Sequence, residues 1–152
     1  MPMWFEDFAS VSPEAVTTSP ARTVTEADVV AFAAWSGDFN PVHTDAVAAA
    51  EGPFGERVAH GLLGLSFCLG LMSRTGEIEG SALALLGVDR WTFRAPIRFG
   101  DTVHVRATVI DTRLRTNGAS GVVRREFRLV NQDDVVTQEG ELRFLIRVRP
   151  RT

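Results

Sequence analysis

From residue 82 onward, apolar and polar positions alternate with a period of two. Val103, Val105, Ala107 and Val109 interleave with Thr102, His104, Arg106 and Thr108, the spacing of a strand with one buried face. Leu142, Phe144, Ile146 and Val148 interleave in the same way with Arg143, Leu145, Arg147 and Arg149. Strands are predicted over 82–93, 102–114, 121–130 and 135–149, with Asn117-Gly118 and Asn131-Gln132-Asp133-Asp134 as hairpin turns. The first half reads differently. Thr25-Glu26-Ala27-Asp28 is a helix start, because the threonine oxygen can cap free amides while Asp28 sits in the positive first turn; Gly37 is a natural stop. Pro41 is unsuited to a helix interior and pushes Asn40 towards an extended conformation, so residues 38–43 are expected on a shaped loop. A short helix is expected over 45–50, then a break at Gly52-Pro53-Phe54-Gly55. Residues 1–18 follow neither period, and a short strand is expected near 21–24. Gly61 to Ser73 is apolar nearly all the way round, the pattern of a helix enclosed by other structure. Helices followed by a run of antiparallel strands predict an α+β layer fold, a curved sheet wrapping the helix at 61–73, rather than a parallel βαβ sheet.

Composition narrows the context. At 152 residues, 45% hydrophobic and 23% charged, the chain has the size of one domain covering 1–152. Glu6 and Asp7 near the N-terminus do not fit a secretory leader, and the most apolar segment, 62–72, is too short to span a bilayer. A soluble cytoplasmic protein is the expectation. The single cysteine, Cys68, allows no internal disulfide and no cysteine-based zinc cage, which suits a reducing compartment. A net charge of −3 with dispersed basic residues gives no long-range attraction to nucleic acid or an anionic membrane. All the basic residues are arginine, a feature of GC-rich genomes as much as of phosphate-binding forks.

The chemistry gathers between Trp35 and Gly61. Asp38 and His43 are a carboxylate and an imidazole that a proline turn can bring onto one water or substrate proton. The alternatives are a turn-capping aspartate beside an uninvolved histidine, or a metal site made from Asp38, His43 and Asp45. An EF-hand loop fails, since its sixth and twelfth positions counted from Asp38 are His43 and Ala49. His60-Gly61 opens the apolar helix, whose free amides and unhindered glycine suit an acyl carbonyl oxygen. Ser66 and Cys68 lie inside that helix and read as packing, His104 as an exposed strand residue. Arg94, Arg98 and Arg106 are either contacts for an anionic ligand or solvated strand residues. No nucleophile elbow, phosphate loop or dinucleotide fingerprint is present.

Ser36-Gly37-Asp38-Phe39-Asn40-Pro41-Val42-His43-Thr44-Asp45, followed by Phe54-Gly55-Glu56-Arg57-Val58-Ala59-His60-Gly61, resembles the MaoC-like dehydratases, which include the (R)-specific enoyl-CoA hydratases. The likeness continues through Phe93-Arg94-Ala95-Pro96-Ile97-Arg98-Phe99-Gly100-Asp101-Thr102-Val103 and so covers most of the chain. It implies a hot-dog fold, an antiparallel sheet around a central helix, and a homodimer whose interface helps form an acyl tunnel. Asp38 and His43 would then be the catalytic pair activating water against a trans-2-enoyl thioester. Asn40 would orient them, and the Gly61 amide would be the oxyanion donor. Arg94, Arg98 and Arg106 would be available to CoA phosphates. The substrate carries CoA or carrier-protein phosphopantetheine, and neither a metal nor a redox cofactor is expected. The rival readings are a dehydratase for a branched or dicarboxylic acyl-CoA and a non-catalytic subunit that only binds acyl thioester. A thioesterase is disfavoured, because the helix at 61–73 lacks a carboxylate.

Overall fold

In the computed structural model, which describes residues 1–151, the order is α1 (Phe5–Ser10), β1 (Val16–Thr18), β2 (Arg22–Thr23), α2 (Glu26–Ser36), α3 (Pro41–Thr44), α4 (Ala46–Ala50), α5 (Gly61–Ser73), β3 (Ala82–Phe93), β4 (Thr102–Leu114), β5 (Ser120–Val130) and β6 (Val136–Arg147). The strands form an antiparallel sheet in the order β1-β4-β5-β6-β3, with β2 also paired to β4. The period-two segments make this sheet because their alternate residues share one face. Val103, Val105 and Ala107 of β4 join Phe127 and Leu129 of β5 and Leu142 and Ile146 of β6 in the core. Leu63, Phe67, Cys68, Leu71 and Met72 of α5 fill the hollow against them. A sheet wrapped on one long helix is the hot-dog arrangement.

Three expectations need correction. α1 arises where no period was visible, because burial of Phe5 and Phe8 fixes a six-residue helix too short to show one. β3 hardly alternates in burial: it is the sheet's edge, and Leu83, Leu85, Leu86 and Val88 are exposed along it. The third concerns α5, which is not enclosed all round in one chain. Leu62 is 61% exposed, and Ser66 and Gly70, one and two turns further on, are exposed too.

Cys68 sits on the closed side of α5 with no exposure, and burial pushes its thiol up to about 12 despite the nearby Arg125 charge. Thiolate is the reacting species, so the native protein should leave a disulfide reagent such as Ellman's unconsumed at pH 8. One thiol per chain should titrate once denaturant is added. Rapid labelling of the native protein would contradict this packing.

Candidate active site

α2 delivers the chain to the site through two caps. At its start the Asp28 amide donates to Thr25 Oγ1 at 3.4 Å, and the Thr25 amide donates back to Asp28 Oδ2 at 2.9 Å, a closed capping box. Burial alone would raise the Asp28 carboxyl, but the Thr25 donors and Arg22 outweigh it and hold it below the usual carboxylate range. At its end Gly37, with φ 75°, takes the left-handed conformation that turns the chain out of the helix.

The next six residues are built by side chains capping backbone. Asp38 Oδ1 accepts from the Asn40 amide at 3.2 Å, and Asn40 Oδ1 accepts from the Val42 amide at 3.2 Å. Asn40 is thus the N-cap of α3, with Pro41 at the first helical position, where its missing N–H costs nothing. His43 therefore lies on a one-turn helix, not on the loop expected from the proline. Its Nδ1–H donates to the Val58 carbonyl at 2.7 Å. That fixes the tautomer: neutral His43 keeps its lone pair on Nε2. The connector is sewn in from both sides, as the Val58 amide donates to Val42 O at 3.1 Å and the Ala59 amide to Ile97 O at 2.8 Å.

At the N-terminus of α5, the Leu63 and Gly64 amides both turn to the His60 carbonyl. Among the described residues, the Gly61 and Leu62 amides that precede them have no acceptor, so both point out of the first turn as free donors. A Cβ at Gly61 would stand 2.7 Å from the Phe93 ring, so a side chain there would displace that ring. Gln138 of β6, 2% exposed, spans the gap beneath. Its Nε2 donates to Gly61 O at 2.9 Å, and its Oε1 accepts from Trp91 Nε1 at 3.1 Å.

These pieces converge on a cavity of about 620 Å³. Phe32, Phe54, Leu62, Phe93 and Ile97 give it apolar walls, while Asp38, His43, His60 and Gln138 supply its polar points. One side-chain nitrogen or oxygen from each of Asp38, His43 and His60 lies within 4.8 Å of the others. A carboxylate and two imidazoles so placed can exchange protons, and the same three groups are possible metal ligands. The two imidazoles stack with centroids 3.8 Å apart and planes inclined by only 25°, so their ring lone pairs lie in nearly parallel planes. His60 has also committed Nε2–H to the Asp38 carbonyl at 2.9 Å.

The other sequence candidates fall elsewhere. Asp45, offered as a third metal ligand, caps α4 by accepting from the Val47 and Ala48 amides. Arg94 lines the cavity while paired to Glu139. Arg98 pairs with Glu56 and Arg106 with Asp134, and neither is part of the cavity wall. Ser66 donates to Leu62 O within its own helix. His104 is half-buried in β4, where burial and the Arg106 charge, against Asp134, hold its imidazole below the ordinary value. Sequence reasoning missed Gln138 and Phe93. Both sit in strands whose period reports only which face is inward, not which helix residue they meet.

The family model of the MaoC like domain matches residues 7–130. Protein MaoC of Klebsiella aerogenes is 42% identical over 101 residues, 66% of this chain but only 30% of that protein. An (R)-specific enoyl-CoA hydratase of Rhodospirillum rubrum is 34% identical over 106 residues, 70% of this chain and 69% of that one. Among solved structures, an Archaeoglobus monoamine oxidase regulatory protein superposes with TM-score 0.87 at 31% identity, covering 98% of this chain and 97% of that one. A Mycobacterium tuberculosis protein with a double hotdog fold superposes with TM-score 0.77 at 18% identity, covering 98% of this chain and 45% of that one, a likeness of fold alone. By the extent of the domain match, this chain belongs to the MaoC-like domain family.

Proposed function

We propose that the protein catalyses reversible (R)-specific hydration of trans-2-enoyl thioesters carried on CoA or a carrier protein. The observation that carries this reading is the convergence of Asp38 and His43 with the open amides of α5 in one apolar-walled cavity. An ionised Asp38 and the Nε2 of neutral His43 are both acceptors, so one water can donate a hydrogen to each. Its oxygen bonds to C3 as the C2=C3 π electrons move towards the thioester carbonyl. A water proton passes to the pair, and a proton from the pair reaches C2, so the addition balances without electron transfer. In the enolate-like state the negative charge on the carbonyl oxygen is met by the Gly61 amide, a donor whose loss typically costs ~10² to 10³ in rate. The thioester itself makes C3 electrophilic. Loss of enoyl-thioester absorbance from crotonyl-CoA is the direct assay. Turnover is expected, and inactivity on short, medium and branched enoyl-CoAs alike would favour a subunit that only binds acyl thioester.

The site works in a homodimer. β3 is a 12-residue edge strand with unpaired backbone groups and exposed Leu83, Leu85, Leu86, Val88 and Phe93, a surface suited to pairing with its own copy. Phe93 is shared between that edge and the cavity. Light scattering should give twice the 16.6 kDa chain mass, or a multiple of that dimer; a folded monomer would contradict the reading.

A further inference from the structure

We propose that His60 is a positioning residue, which holds the water-activating pair in register with the Gly61 amide. This rests on the hydratase reading above. His60 is the cap of α5 and directly precedes Gly61, so its backbone is part of the oxyanion turn. Its side chain reaches back across 22 residues of sequence to donate Nε2–H to the carbonyl of Asp38. Its ring also stacks on His43 at 3.8 Å, and Phe32 packs on it at 4.9 Å. A single imidazole therefore touches the backbone of the carboxylate, the ring of the second acceptor and the turn that presents the amide.

Packing alone does not account for an imidazole here. His60 is 2% exposed, and its Nδ1 is buried without a hydrogen-bond partner. An unpaired buried acceptor is destabilising, and phenylalanine would fill much the same aromatic slot without one. What only the imidazole supplies is a flat ring for His43 together with an N–H aimed at Asp38 O. The Asp38 segment needs that tie. Asp38 and Asn40 are exposed, and their other bonds are short-range ones within residues 36–44.

The test compares His60→Phe, which keeps the ring and removes the donor, with His60→Gln, whose amide nitrogen can reach the same carbonyl. His60→Phe is expected to melt no lower than the parent yet to lose roughly tenfold to a hundredfold in kcat with KM little changed, the cost of misplacing reacting groups by a fraction of an ångström to an ångström. His60→Gln should recover part of the loss. Parent-like kcat in His60→Phe, or equal losses in both variants accompanied by lowered melting temperatures, would overturn the proposal. Backbone ¹⁵N relaxation at Asp38, Phe39 and Asn40 reads the tether without turnover. Order should fall in His60→Phe and return in His60→Gln; unchanged order in His60→Phe would also overturn it. If the parent hydrates no enoyl-CoA, the hydratase reading fails by itself, and relaxation still decides whether His60 holds the segment.

Discussion

Asp38→Asn and His43→Asn should each lower kcat for crotonyl-CoA hydration by about 10² to 10⁴, the range for removing a general acid or base. Both changes spare the scaffold. Asparagine at 38 keeps an oxygen where Asp38 Oδ1 accepts the Asn40 amide. Asparagine at 43 places an amide nitrogen near the position of Nδ1, which donates to Val58 O. Melting temperatures should therefore stay close to the parent's while the chemistry fails. The double variant should cost little more than the worse single one, because two groups sharing one water act as a unit. Two parent-like single variants would remove the pair from the mechanism, and additive losses would mean that the groups serve separate steps.

The sequence was informative wherever a local rule decides the structure. The alternation at 102–114 is β4 residue for residue, and the Thr25 and Gly37 caps bound α2 as expected. Local rules also placed Asp38, His43 and Gly61 near one another, since motif, turn and helix start follow in order along the chain. They failed where tertiary contact decides. Pro41 is unsuited to a helix interior, yet with Asn40 capping it becomes the first residue of a helical turn. The all-apolar α5 suggests complete enclosure, yet Leu62, Ser66 and Gly70 leave one side open in a single chain. Gln138 was silent for a related reason. A polar residue in an alternating strand reads as outward-facing, and its meeting with Gly61, 77 positions away, leaves no periodic trace.

Gly64→Ala should destabilise the protein by about 1 to 3 kcal/mol, the usual range for overpacking a filled interior. For a chain of this length that lowers the melting temperature by roughly 2 to 4 °C per kcal/mol. A Cβ on Gly64 would overlap the Gln138 amide and stand 2.7 Å from Ile97 Cδ1. The side-chain end of Gln138 is flexible in principle, but its two bonds hold it in place. Moving it would break its bonds to Trp91 Nε1 and Gly61 O, both half-buried, and a lost hydrogen bond typically costs about 0.5 to 1.5 kcal/mol. Overpacking is therefore tolerated in preference to swinging the amide away, and the strain is passed to the peptide carrying the Gly61 carbonyl. Activity should fall with stability, because that peptide belongs to the turn proposed to present the oxyanion donor. A double-mutant cycle isolates the cause. In a Gln138→Ala background the added methyl has room, so Gly64→Ala should cost clearly less there than in the parent. An additive cycle, or an unchanged melting temperature in Gly64→Ala, would show that Gln138 does not brace the start of α5.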